Sequence, residues 1–160
     1  DTLIKQLTTD ELVAVLGHEL GHYKLHHIIR RFCVLIPVEF ALMFILYKIA
    51  QSTSIYTGFG FALTGIKVES VQFIGLFLAS LVAGSLSEIS SPLRNFSSRK
   101  DEFAADKFSA ELTGHPEHLI SALIKLNSEN LSELVPPKIY VAWNYNHPSL
   151  VERVEALKKL

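Results

Sequence analysis

His18-Glu19-Leu20-Gly21-His22 sets two imidazoles four residues apart with a carboxylate between them. Residues i and i+4 of a helix lie one above the other, so His18 and His22 can turn ring nitrogens toward one metal ion, and zinc asks for nitrogen ligands at about 2.0–2.1 Å. Glu19 lies near the same face but is displaced from a ligand position, and there it can take a proton from a metal-acidified water. The chemistry this allows is hydrolysis by activated water. HExxH alone also arises by chance on surface helices rich in His and Glu, so the reading requires a third protein ligand and one open position.

His26 continues the i, i+4 series, but eight helical residues carry it roughly 12 Å from His18, too far to share a metal. A further glycine and histidine at positions 25 and 28 would complete a longer motif of this type; the chain has Leu25 and Ile28 there. Glu39 and Glu88 fall within or at the end of apolar runs, where a carboxylate can be functional or can simply face a neighbouring helix. Asp101-Glu102-Phe103-Ala104-Ala105-Asp106 is the best candidate. On a helix Glu102 and Asp106 share a face, so Glu102 can bind the metal while Asp106 accepts the second ring N–H of a ligating histidine and fixes its tautomer. Without the upstream motif the same residues would read as a solvated acidic face.

A third constellation is Asn144-Tyr145-Asn146-His147-Pro148-Ser149-Leu150-Val151-Glu152-Arg153. His147 precedes a helix N-cap by two residues and Arg153 lies one turn into that helix. Both can donate hydrogen bonds to the oxyanion formed when water attacks a carbonyl. They can equally be structural, with His147 packing or capping and Arg153 pairing with Glu152 or Glu155.

The elements that must position these groups are helical. Thr8 and Glu11 have capping-box spacing, and Leu12, Val15, Leu16 and Leu20 recur at helical intervals, which predicts a helix over residues 8–31 ending in the basic cluster Lys24, His26, His27, Arg30 and Arg31. Phe32 to Ala50 is apolar except for Pro37, Glu39 and Lys48, and as a helix extends roughly 28 Å, close to the bilayer hydrocarbon thickness. A polar connection from Gln51 to Ser70 leads to a second apolar run from Val71, uncharged to Leu86 and counted as a span to about Ile89. The flanks of this hairpin carry Lys24, Arg30, Arg31, Arg94, Arg99 and Lys100, against Lys67 in its loop, which places both flanks in the cytoplasm. From Pro92 the composition is again that of a soluble protein. A helix over about Ser98 to Leu112 stops at Gly114, and Pro116 opens another with Leu119, Leu123, Ile124 and Leu126 on its apolar side. Pro136-Pro137 breaks the chain, and Ser149 with Glu152 caps the last helix. The fold class is mainly α, in three parts: the HExxH helix (1–31), a transmembrane hairpin (32–91, spans about 32–50 and 71–89) inserted between the metal ligands, and a soluble helical part (92–160).

Composition agrees with this division. Among 160 residues 19% are charged and 49% hydrophobic, with mean hydropathy +0.28, apolar for a soluble domain. A net charge of -1 gives no reason to expect a nucleic-acid partner. The single cysteine, Cys33, lies in an apolar run and reads as a small hydrophobe. The chain opens on Asp1-Thr2-Leu3 with no initiator Met and no leader pattern, and reads as the C-terminal part of a larger multi-pass protein.

Four stretches in order, Glu11 through His22, Glu102 through Asp106, Ser121 through Leu126, and His147-Pro148 through Glu152-Arg153, resemble the type I CAAX prenyl proteases, membrane-embedded zinc enzymes of peptidase family M48. The resemblance implies one zinc per chain on His18, His22 and Glu102, Glu19 as general base, and His147 and Arg153 beside the bound peptide, stabilising the intermediate. It implies prenylated protein substrates, contact with membrane lipid, and a place in the endoplasmic-reticulum or inner nuclear membrane with the site facing cytosol. The sequons Asn95-Phe96-Ser97 and Asn130-Leu131-Ser132 would then face the wrong side for glycosylation. A membrane quality-control zinc protease shares much of this pattern, but Glu11 to Gly17 and Trp143 to His147 look more like the prenyl protease. A scaffold with structural zinc has no need of Glu19.

Overall fold

The computed structural model describes residues 6–130, 133 and 136–160, the side chains of 85–87, 129 and 130 excepted. Its elements are helices: α1 (Thr9–Lys24), α2 (His27–Ala50), α3 (Thr53–Gly58), a 3-10 turn (Val68–Ser70), α4 (Gln72–Thr113), α5 (Pro116–Asn130), α6 (Lys138–Asn144) and α7 (Leu150–Leu157). No strand occurs among the described residues. The chain divides into two compact units, Asp1–Ile29 with Ser91–Leu160, and Arg30–Ser90.

In the first unit α1 packs on α5 and α5 on α7. The core is small: Ala14, Ala110, Leu119 and Leu157 are buried, with Val15, Ile120 and Leu123 against them. One polar anchor fixes α1 to α5. Glu11, 4% exposed, accepts from Ser121 Oγ at 2.6 Å and from Lys125 Nζ at 2.7 Å. Its Oε2 also accepts the Thr8 backbone N–H at 2.7 Å, closing a capping box at the helix start. Ser149 and Glu152 close a second box at the start of α7, and Gly114, with φ 69, turns the chain from α4 to α5.

In the second unit α2 is long and apolar enough to cross a membrane and almost none of it is buried; Phe32, Phe40, Met43 and Phe44 are all more than half exposed. A second span meets the same test only as a bent pair, Gln72–Gly84 with Glu88–Thr113. In the connection Tyr56 is buried, and its hydroxyl donates to the carbonyls of Ala50 at 2.9 Å and Val71 at 3.1 Å, which ties the end of one apolar helix to the start of the next.

Three helix boundaries differ from those expected. The first helix ends at Lys24 instead of Arg31: Leu25 N–H closes on Gly21 O, and His26 takes φ 56, a left-handed conformation that costs a non-glycine residue about 1–2 kcal/mol. No glycine or proline marks that break, so hydrophobic periodicity runs straight through it. The first apolar helix accordingly begins at His27, five residues earlier than the apolar run. Separate helices expected before Pro92 and from Ser98 form one helical run, α4, whose bend of 53° falls between Gly84 and Glu88 and not at the change of composition; a change from apolar to polar residues alters the surroundings of a helix without ending its hydrogen-bond ladder, from which Pro92 removes a single donor. Ile124, expected on the apolar side of α5, is 49% exposed. Leu131 and Ser132 of the second sequon lie outside the described residues.

Candidate metal centre

The buried face of α1 is Ala14, Gly17, His18 and Gly21, a spacing of three, one and three that keeps small residues beside the first histidine. Those glycines set the approach of α1 to α4. A Cβ on Gly21 would stand 3.1 Å from the Ala105 Cα, and one on Gly17 would stand 2.9 Å from Ser109 Oγ, the hydroxyl that donates to Ala14 O at 2.6 Å. Across this close contact His18 and His22 meet Glu102 and Asp106, which lie one turn apart on the facing helix.

The donor atoms converge. His18 Nε2 and His22 Nε2 are 3.1 Å apart, His22 Nε2 lies 3.3 Å from Glu102 Oε1, and His18 Nε2 lies 3.7 Å from Glu102 Oε2. A tetrahedral ion with ligands at about 2.0–2.1 Å separates them by about 3.3–3.4 Å, so the two imidazole nitrogens and the Glu102 carboxylate stand at spacings close to those of one zinc site. The tautomers agree with this. His18 Nδ1 donates to Asp106 Oδ1 at 2.8 Å, which leaves the lone pair on Nε2. Burial, then repulsion from His18, lowers the pKa of His22, keeping its ring neutral and able to ligate. With His18 in this tautomer its Nε2 is free to ligate, and His22 Nε2 and the Glu102 carboxylate stand close enough to share one ion with it. Among the described residues this is the group of His, Cys, Asp and Glu donors so placed.

The surrounding charges hold the carboxylates ionised. Burial pushes Glu102 upward, but the hydrogen bond from His147 and the charges of His147, Arg153 and His18 more than offset it, and the carboxyl stays below its ordinary range. Burial likewise raises Asp106, and the hydrogen bonds from Arg153 and His18 overcome it. Arg153 Nε donates to Asp106 Oδ2 at 2.8 Å and Nη2 to Oδ1 at 2.6 Å, while Nη1 lies 3.7 Å from Glu102 Oε2. Its side chain is 12% exposed, so pairing on the surface with Glu152 or Glu155 is not its role. His147 Nδ1 lies 2.9 Å from Glu102 Oε2 with the side chain 60% exposed. Glu19 is exposed on α1. His26, Glu39 and Glu88 are exposed and stand outside the donor group.

Two residues at this centre escape sequence reasoning. His27 Nδ1 is 3.0 Å from His22 Nδ1, and His27 Nε2 is 3.8 Å from Asp101 Oδ1, with both His27 and Asp101 4% exposed. On a continuous helix i and i+5 point about 140° apart, and it is the break at His26 that brings His27 back under His22. An unusually dense set of histidines after HExxH is the one signal the sequence offers.

An HExxH helix crossed by a second helix that supplies a glutamate and an aspartate one turn later brings together, among the described residues, a donor set able to hold a metal ion. Peptidase family M48 matches residues 1–160, and the chain belongs to that family. It is similar to the probable CAAX prenyl protease 1 of Schizosaccharomyces pombe (34% identity over 98% of this chain and 32% of the relative). It is likewise similar to the CAAX prenyl protease 1 homologs of Arabidopsis thaliana (39%, over 98% and 36%) and Homo sapiens (35%, over 94% and 31%). Among solved structures, the crystal structure of S. mikatae Ste24p superposes with a TM-score of 0.84 at 31% identity over 98% of this chain and 38% of that one. The chain spans about a third of the length of the curated relatives it matches.

Proposed function

We propose that this chain carries the zinc centre and the proton-transfer residues of an integral-membrane metalloendopeptidase that cleaves prenylated CAAX proteins near their C-termini. The observation that carries the reading is the convergence of His18 Nε2, His22 Nε2 and Glu102 at spacings suited to one zinc, with Glu19 on the same helix. The relatives named as CAAX prenyl proteases supply the substrate class.

When bound, zinc supplies Lewis acidity, which acidifies water and polarises a carbonyl. The chain's residues do the rest. Glu19 takes the proton of the attacking water and returns it to the leaving amine; its exposure leaves it open to both. His147 donates to the developing oxyanion, while Glu102 holds its Nδ1 edge. Asp106 fixes the His18 tautomer, and Arg153 acts through Asp106, since two of its nitrogens are committed there. A cleft of about 440 Å3 beside His147 and Arg153, lined also by Leu123, Leu126, Asn127 and Leu150, offers room for peptide side chains. The exposed apolar faces of α2 and of the first part of α4 lie against lipid acyl chains, in an endoplasmic-reticulum or inner nuclear membrane, with the metal centre on the cytosolic side.

The test is metal content and cleavage by the complete protein in detergent, using a farnesylated CAAX peptide and its unprenylated twin. About one zinc per chain and Glu19-dependent cleavage that prefers the farnesylated peptide is the expected result. Cleavage without prenyl preference would move the protein to membrane quality control, zinc without cleavage to a scaffold, and absence of zinc would end the reading.

A further inference from the structure

His147 lies in neither of the helices that flank it, yet its ring must be held against Glu102. The chain leaves α6 at Asn144, Tyr145 is extended with φ -108 and ψ 119, and α7 starts from the Ser149 cap. His147 lies two positions from Tyr145 and two from Ser149, so its position follows from where those two ends are anchored; each arm reaches at most about 7 Å.

One end is anchored by a row of side chains on α4. Arg99 Nη1 donates to Tyr145 O at 2.7 Å and Val141 O at 3.2 Å. Asn95 Nδ2 donates to Trp143 O at 2.7 Å and Ala142 O at 3.4 Å, and Ser91 Oγ donates to Trp143 O at 3.1 Å. Carbonyls in the last turn of a helix have no partner within it, and a cation there also meets the negative end of the helix dipole. Ser91, Asn95 and Arg99 follow one another at i+4, and Glu102 and Asp106 continue the same face; at about 100° per residue all five fall within roughly 80° of the circumference. The groups that hold the end of α6 and the groups that build the metal centre are therefore one rigid row on one helix.

We propose that Ser91, Asn95 and Arg99 are positioning residues for the reaction: they clamp the end of α6 to α4 in the register that sets His147 against Glu102. The proposal rests on the peptidase reading of this site. It also gives Asn95 a use that excludes another, because the amide nitrogen a glycan would occupy in Asn95-Phe96-Ser97 is the clamp's donor.

The experiment uses the complete protein with Asn95→Leu, Arg99→Met and Ser91→Ala, alone and combined with His147→Ala. A displacement of about 1 Å at a catalytic group costs on the order of 100-fold, so Asn95→Leu and Arg99→Met should each lower kcat by roughly 10- to 100-fold at unchanged zinc content. Arg99→Lys, one cationic donor in place of a fork, should recover part of the loss. In the His147→Ala background the same substitutions should add little, because they act through that ring. Amide hydrogen exchange over residues 141–149 should quicken while α1 is unaffected, a readout independent of turnover. If a variant loses zinc or its α1 amides exchange faster, Ser91→Ala, which removes one hydrogen bond, carries the comparison. Full additivity with His147→Ala, or faster exchange at unchanged kcat, would overturn the proposal. A wild-type protein that cleaves nothing would instead refute the peptidase reading, and unchanged exchange in the variants would separately sink the clamp.

Discussion

The Nδ1 atoms of His22 and His27 lie 3.0 Å apart, with Asp101 on the far side of the second ring. When His22 offers Nε2 to a metal its Nδ1 carries the proton, and His27 is the group that accepts it. His18 reaches its carboxylate, Asp106, directly; His22 reaches Asp101 through a second imidazole. Partners of this kind orient the ligand ring, and losing one typically weakens metal binding 10- to 100-fold. His27→Phe should therefore lower zinc affinity by about that factor in chelator competition, and His27→Gln, whose amide oxygen can still accept, should lower it less. Equal affinity in the Phe variant would remove His27 from the metal centre.

Asp106 serves two partners at once, His18 and the mostly buried guanidinium of Arg153. Taking away one member of a buried pair leaves an uncompensated charge, at a cost of about 3–5 kcal/mol. Asp106→Ala should show a loss of that order in denaturant unfolding, and adding Arg153→Leu should restore part of it. A double variant no more stable than the single one would mean that Arg153 finds Glu102, 3.7 Å away, an adequate substitute.

Gly21 faces backbone, whereas Gly17 faces a hydroxyl that can rotate. Gly21→Ala should push α1 and α4 apart, costing about 1–3 kcal/mol of stability and reducing zinc affinity, with Gly17→Ala milder on both counts. Metal titration and thermal unfolding of the two variants check the order, and a Gly17 variant worse than the Gly21 variant would contradict this account of the helix contact.

Glu11 contributes a pH dependence with a definite sign. Hydrogen bonds from Lys125, Ser121 and Thr8 hold its pKa down from 4.5 to about 2. A folded-state pKa below the unfolded one adds stability that is present above about pH 4.5 and disappears as pH falls toward 2. Acid unfolding of wild type should show this loss in that window, and Glu11→Gln should flatten it while lowering stability at neutral pH. An unchanged acid limb in the variant would show that Glu11 does not anchor α1 to α5.

How much of this was legible depended on the range of each interaction. Capping boxes at Thr8 and Ser149, the stop at Gly114 and the start at Pro116 are signals within four residues, and the chain adopts them. The donor triad could be inferred from residue chemistry, since His18 and Glu102 belong to motifs specific enough to imply each other. The fate of Arg153 could not: nothing in its own neighbourhood distinguishes Glu152 and Glu155 from Asp106, 47 residues away, and only the packing of α7 decides. The same holds for the end of α6, where the partners of Ser91, Asn95 and Arg99 are backbone carbonyls, which every residue carries and no pattern marks. His27 was hidden for a further reason, because a left-handed residue at His26 cancels the periodicity by which helical neighbours are found.

Glu19 and Glu102 are both carboxylates at the centre but differ in surroundings, and their loss should differ in kind. Glu102 is 4% exposed, with its oxygens 3.3 and 3.7 Å from the two histidine nitrogens, as a ligand must be. Glu19 is exposed and joins neither the donor group nor its ring of hydrogen bonds. Glu19→Gln preserves size and removes only the ability to carry a proton, so zinc content should remain near one per chain while cleavage falls by about 100- to 10,000-fold, the usual worth of a general base. Glu102→Ala should release zinc, and activity should follow the metal down. The two variants are compared by metal analysis before any assay of turnover; equal depletion of zinc in both would make Glu19 a ligand and would require a different residue to move the proton.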